Sequence, residues 1–438
     1  MGSWEVEQNN IFKEGKNPEP EIGRRGAGPS QTTMRKNFTL RVVLILTVIL
    51  LSCGVSFARS TTRYSRREKA VIHESPSVQR RMSRLRHSRR VTRSAAHRRA
   101  SRRHHYYGER FYTSSFAENL TTGDTTVGED PVVRAAAVDA LGNMNGTILA
   151  IDPTSGRILT MVNRNLALSG GAQPCSTIKL SVALAALTEG IVSKETEVSL
   201  GGRWHMNMTN ALAHSNNAYF ESLGRQLGFE KVHYYAHQFG LGELAGYNIA
   251  GEHLGVYPDT ELPMQLGGVG KMCSFGESIS MTPLQLGALV SAIANGGNLF
   301  YLQHPESAEE VADFRPQIKR HLDIGALVPE MSDGMMGAVR YGTAHSLRHN
   351  FSAEQVMGKT GTCSKDGTRF GWFASYANTE HGKIVTVVFL RGGRPTFGPK
   401  AAELTGRLYR NLYEHSYFAA SYVTSLHNPA AQSLGVAQ

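Results

Sequence analysis

The chain contains no glycine-rich phosphate loop and no dinucleotide fingerprint, so nothing in it points to nucleotide chemistry. Internal repeats are missing as well, which excludes solenoids and propellers. Tryptophan is scarce, with three residues in 438. Trp204 and Trp372, like the pair Tyr106-Tyr107, read as packing or linker residues rather than as a sugar platform. Carboxylates are nearly absent from one long stretch: between Arg59 and Arg110, seventeen Lys/Arg face only Glu68, Glu74 and Glu109, a net of +14. Since the whole chain carries +11, the remainder sums to −3 and the basicity belongs to that tract alone. Large apolar residues are also few there, and like-charge repulsion keeps such a segment extended. It reads as a solvated linker with a reach on the order of 40 Å. A sharper reading is adhesion to an anionic polymer or to lipid headgroups by counterion release. His104-His105 and the other histidines of the tract have no ligand spacing, and no metal or other cofactor is expected.

One apolar run stands out. Arg35, Lys36 and Arg41 flank Val42–Leu51, and Ser56-Phe57-Ala58 offers the small residues that a signal peptidase cuts after. The uncharged stretch 42–58 is at the short end for a bilayer span, so a cleaved signal peptide and a retained anchor both stay open. A third option is a lipid on Cys53, since Leu50-Leu51-Ser52-Cys53 loosely resembles a lipoprotein box. Export places the protein outside the cytoplasm and argues against nucleic acid as a partner. Met34 reads as the natural start, and residues 1–33 form an uninterpreted tail. The expected organisation is then a signal or anchor over 34–58, a basic linker over 59–129, a folded domain over 130–416 and a C-terminal tail over 417–438.

Within the folded part, apolar residues alternate on either side of Asp152-Pro153-Thr154-Ser155-Gly156, which predicts two strands and a turn. Helical patterns follow at 176–187, 216–227, 231–239 and 282–294. Two more strands are expected at 370–376 and 384–390, with an amphipathic helix at 400–413. Strands at both ends of a mostly helical middle predict an α+β fold, an antiparallel sheet flanked by helices plus an all-helical subdomain.

Ser176 and Lys179 stand at the mouth of the first of these helices. A serine hydroxyl needs a base to act as a nucleophile, and the i, i+3 spacing puts the lysine on its face. A buried lysine near a second cation loses its proton readily. Ser-x-x-Lys alone arises by chance about twice in a chain this long, and a capping serine with a snorkelling lysine would explain it. Two later elements change that: Ser215-Asn216-Asn217, and Lys359-Thr360-Gly361-Thr362. Ser-x-x-Lys, Ser-x-Asn and Lys-Thr-Gly in that order form the signature of the penicillin-recognising serine acyltransferases.

From about Pro131 to His415 the chain resembles the transpeptidase domain of penicillin-binding proteins, nearest the monofunctional class B type. "GESISMTPLQLGALVSAIANGG", "GWFASYA" and Gly342-Thr343-Ala344 are similar to further family landmarks. The resemblance implies a bacterial D,D-transpeptidase of cell wall synthesis, or a carboxypeptidase, that acts on peptidoglycan stem peptides. Ser176 would attack the penultimate D-Ala carbonyl with Lys179 as base. Ser215 would relay a proton to the leaving D-Ala, Lys359 would add positive potential, and Asn217 would hold the substrate amide. Thr360 and Thr362 would bind the terminal carboxylate, Gly361 would allow close approach, and the N–H groups of Ser176 and Thr362 would form the oxyanion hole. β-Lactams would acylate Ser176 as covalent inhibitors. The membrane through residues 42–58 and a glycosyltransferase are the implied partners, and the implied location is the inner membrane facing the periplasm, or the periplasm itself. Cys175 and Cys363 sit as two cysteines do in the class A carbapenemases, which implies a disulfide beside the nucleophile; two free thiols are the alternative.

Two other functions compete. A serine β-lactamase of class A needs a water-activating glutamate, usually in Glu-x-x-Leu-Asn, and none follows Ser215; Glu252 and Glu261 lack that context. Class D would show Ser-x-Val. A noncatalytic β-lactam sensor or wall-binding scaffold is the other. It draws on the lack of a folded pedestal or glycosyltransferase domain in the tract, and on an interval from Ser176 to Ser215 that is short for the family.

Overall fold

The computed structural model describes residues 109–352 and 355–418. Strands β1 (Gly146–Asp152) and β2 (Arg157–Val162) form the expected hairpin, with Asp152 accepting from the Thr154 amide and both neighbouring hydroxyls to close the turn. Strands β3 (Met357–Lys365), β4 (Thr368–Thr379) and β5 (Gly382–Gly392) complete a five-stranded antiparallel sheet in the order β2-β1-β5-β4-β3. The ends of the domain meet at its centre, where β1 pairs with β5 from Gly146↔Leu390 to Ile151↔Val385.

Period-two alternation gives the sheet two apolar faces. Leu149, Ile151, Trp372, Ala374, Val387 and Phe389 enter the larger core, while Ile148, Ala150, Phe373, Val388 and Leu390 enter the smaller one. The smaller core is covered by α1 (Pro131–Leu141) and by a C-terminal helix, Gly398–Glu414.

The helical subdomain stands on the other face. It contains α2 (Lys179–Thr188), α3 (Met208–Ala213), α4 (Asn217–Leu227), α5 (Phe229–Gln238) and α6 (Gly268–Phe275). Helix α7 (Pro283–Asn295) is buried from Pro283 to Ala294. It starts with a reciprocal capping box, Thr282 Oγ1 accepting from the Gln285 amide and the Gln285 side chain accepting from the Thr282 amide. Gly287 lets it lie on the sheet, since a Cβ there would come within 2.6 Å of Ile151 Cδ1. Helix α8 (Val328–Arg340) and the last helix, α9 (Gly398–Glu414), complete the set used below.

Two boundaries move. The linker was expected to run to residue 129, yet residues 109–129 belong to the folded domain. The basic charge stops at Arg110, and the next residues supply contacts instead. Buried Ser115 Oγ accepts from the Gly393 amide and from Thr396 Oγ1. Asp124 pairs with Arg134 at 2.6 Å, and Glu129 accepts from the Met161 amide and Thr160. At the other end Tyr417 and Phe418, placed in the tail, are buried, Phe418 against Phe351 and Tyr409. Residues 1–108, with the apolar run 42–58 and most of the basic tract, lie outside the described residues, as do 419–438. Among the described residues no helix is long and apolar enough to cross a membrane.

Candidate active site

Ser176 lies on a 3₁₀ turn, Cys175–Ile178, that runs directly into α2. Side chains at i and i+3 eclipse in this geometry, which brings Lys179 Nζ to 2.6 Å from Ser176 Oγ. The same ammonium or amine reaches Asn217 Oδ1 at 2.7 Å, the Ser274 carbonyl at 2.8 Å and Ser215 Oγ at 3.4 Å. Lys179 is fully buried. Burial, and then the charge of Lys359, hold its pKa well below the ordinary lysine value, with Glu221 pulling the other way.

Lys359 comes from β3, which sits at the edge of the sheet. Its Nζ donates to Ser215 Oγ at 2.8 Å, and burial pushes its pKa down to about 7. Ser215 therefore lies between the two lysines. The backbone is left-handed at Ser215 (φ 55°) and at Cys175 (φ 52°), so both nucleophile-side loops hold conformations that L-residues seldom adopt. Ser215 follows α3, whose end is fixed by α8: Gly334 and Gly337 leave room for Leu212 and Ala213, and the Thr343 amide donates to the Ala213 carbonyl. Asn216 caps α4 through the Tyr219 amide, which sets Asn217 as that helix's first residue.

Alternation along β3 sends Lys359, Gly361 and Cys363 toward the serine turn and Thr360 and Thr362 to the opposite face. A Cβ on Gly361 would lie 2.9 Å from the Pro174 carbonyl and 3.2 Å from Thr177 Cγ2, so only glycine lets β3 approach this closely. Thr362 Oγ1 accepts from the Gly398 amide at 2.8 Å, and Thr360 donates to Thr343 Oγ1 at 2.7 Å. Cys175 and Cys363 are joined as a disulfide, tying the turn that carries Ser176 to β3. Cys273 is buried and free.

Ser176, Lys179, Ser215, Asn217 and Lys359 thus meet in one hydrogen-bonded set beside the sheet edge, with Gly361 against the serine turn, while Thr360 and Thr362 lie on the other face of β3. Sequence reasoning missed the Ser274 carbonyl, which no side-chain pattern could reveal, and the role of Thr343, which it noted only as part of a landmark. Glu252 is taken up by the Ala245 and Gly246 amides, and Glu261 by the Val269 amide. A cavity of about 470 Å³ lined by Gln173, Ser278, Lys365, Phe370 and Arg391 does not include Ser176 or either lysine, and the chemistry is located by the hydrogen-bonded set instead.

The arrangement is a serine hydroxyl with a neutral-prone amine in contact and a second amine one hydroxyl away, which suffices for acyl transfer. The family model of the penicillin binding protein transpeptidase domain matches residues 146–414. The chain is 26% identical over 375 residues to peptidoglycan D,D-transpeptidase MrdA of Acinetobacter baumannii, covering 66% of this chain and 55% of that protein. To stage V sporulation protein D of Bacillus subtilis it is 27% identical over 315 residues, covering 62% and 48%. MrdA of Escherichia coli K12 is 24% identical over 266 residues, covering 53% and 41%. The chain spans about half the length of the curated relatives it matches. With the three motifs in order and a match across most of the folded residues, this chain belongs to the penicillin-binding protein transpeptidase family.

Proposed function

We propose that the protein is a serine D,D-transpeptidase of cell wall synthesis, acting on peptidoglycan stem peptides that end in D-Ala-D-Ala. The observation that carries this reading is the 2.6 Å contact between Ser176 Oγ and a buried Lys179 whose pKa is depressed. Lys179 takes the hydroxyl proton as Ser176 Oγ bonds to the penultimate carbonyl carbon. The resulting oxyanion is held by the backbone N–H groups of Ser176 and Thr362. Collapse expels D-Ala, its nitrogen receiving a proton through Ser215, which hydrogen-bonds Lys359. An amine of a neighbouring stem then takes the acyl group, or water does in carboxypeptidation. Asn217 Oδ1 is occupied by Lys179, which leaves its Nδ2 to hold a substrate carbonyl. Thr362 accepts from Gly398, so its own hydroxyl proton is available to a substrate carboxylate.

β-Lactams follow the same route to a stable acyl-enzyme. A hydrolytic β-lactamase is disfavoured because Glu252 and Glu261 are spent on backbone amides. Residues 42–58 hold the protein at the inner membrane or direct its export, facing the periplasm in either case, and a glycosyltransferase supplies the glycan strands.

Intact-mass spectrometry after brief and long exposure to benzylpenicillin tests this, with Ser176→Ala as control. An adduct on Ser176 that persists for hours is the expected result. Rapid loss of both adduct and drug would move the protein to the β-lactamases, and no adduct at all would make it a noncatalytic scaffold.

A further inference from the structure

Away from the serine, α5 carries His233 and His237 one turn apart, and the segment after Tyr257 brings Asp259 to them. One ligand atom from each of the three lies within 4.8 Å of the others. His233 Nε2 stands 3.5 Å from Asp259 Oδ1, close to the roughly 3.3 Å edge of a tetrahedron with metal bonds of about 2 Å. The two imidazole rings are 4.5 Å apart, and Tyr257 packs edge-on against both, at 5.8 and 6.1 Å. Gly242, with φ +77°, brings backbone against the same ring; a Cβ there would sit 2.9 Å from His237 Cε1.

Packing thus fixes both rings, but it does not satisfy them. The His233 Nε2 atom is buried and has no hydrogen-bond partner, a state that costs free energy unless something coordinates it. The neighbouring positive charge is offset in part. Arg320 donates to the His237 carbonyl, yet its guanidinium is gripped by Glu243 at 2.6 and 2.7 Å, and Lys319 pairs with the same carboxylate. The Asp259 side chain is 94% exposed, which leaves an open approach from solvent.

We propose that His233, His237 and Asp259 form a site for a first-row divalent transition metal, zinc(II) in kind, with a solvent molecule as fourth ligand. Two imidazole nitrogens and one carboxylate suit zinc better than calcium or magnesium, which take oxygen. The ion ties α5 to the segment leading into α6, the helix whose Ser274 carbonyl accepts from Lys179. It is therefore a clamp on the frame behind the site and takes no part in the acyl transfer.

The test uses the full chain, stripped with a chelator and titrated with zinc(II) by calorimetry and with cobalt(II) by visible absorption. The expected result is one equivalent of zinc and the d–d bands of tetrahedral cobalt. His233→Ala and His237→Ala should each weaken zinc by about a hundredfold and abolish the bands, and Asp259→Asn by about tenfold. Circular dichroism shows whether each variant is folded, and the exposed Asp259 provides a substitution that disturbs no packing. No zinc uptake by the unaltered chain would overturn the proposal. So would variants that bind as tightly as the parent, because the ion would then be held elsewhere, for instance by the histidines of the basic tract.

Discussion

At Lys179 burial and a second amine act in the same direction, and only Glu221 opposes them. Acylation of Ser176 by benzylpenicillin should fall as the medium is acidified through the pKa of that amine and stay level above it. Lys359→Met removes one of the two causes, so the acid limb should move to higher pH; stopped-flow acylation across pH checks this, and a limb that stays put would break the coupling. Lys179→Met should slow acylation by about 10²- to 10⁴-fold. Lys359 also makes a stability argument. Its folded pKa, about 7, lies below the ordinary 10.5. Between those values the unfolded chain binds the extra proton, so stability rises with pH across that window, and below it the full penalty is felt. Any stability gained by Lys359→Met relative to the parent should therefore be larger at pH 7 than at pH 10, as urea unfolding at both would show. A difference unchanged with pH would mean that the amine is not buried in solution.

The elements that carry the site were unequally visible. The hairpin at 146–162 announced itself because its apolar residues alternate around an Asp-Pro-Thr-Ser-Gly turn, and α2 because its apolar run is unbroken from Val182 to Leu187. Helix α8 went unread because Gly334 and Gly337 interrupt its pattern. Those glycines are required by contact with α3, a fact of packing that has no local signature. The candidate site was legible as three short motifs, while the 3₁₀ geometry beneath Ser176 and the capture of Lys179 by the end of α6 depend on tertiary placement. His233 and His237 stand at i, i+4 in the sequence but were passed over there, and their third partner comes from another element. At this scale the narrow gap between β3 and the serine turn is the sensitive feature. Gly361→Ala should push the strand from Pro174, slowing acylation at least tenfold and destabilising the fold by about 1–3 kcal/mol. Reduction of Cys175–Cys363, which spans 188 positions, should cost at most about 5 kcal/mol. Melting with and without reductant measures it, and an unchanged midpoint would deny the bridge a role in stability.

For the molecule as a whole, the folded unit begins well before the match to the family model does. A fragment over 109–418 should fold and be acylated. One starting at Pro131 loses the Asp130 cap of α1 as well as the Ser115, Asp124 and Glu129 contacts. It should melt at least about 5 °C lower, and equal midpoints would return the boundary to residue 130. The pairing of β1 with β5 has another consequence, for the order of events during synthesis. The first strands to emerge form only a two-stranded hairpin, which is marginal in water, and the edge that β5 will occupy stays open. An unpaired apolar edge is a template for pairing with the wrong chain. Closure waits for Gly382–Gly392, a pairing of high contact order that slows folding, and the nascent chain must be shielded from its neighbours until that strand has been made.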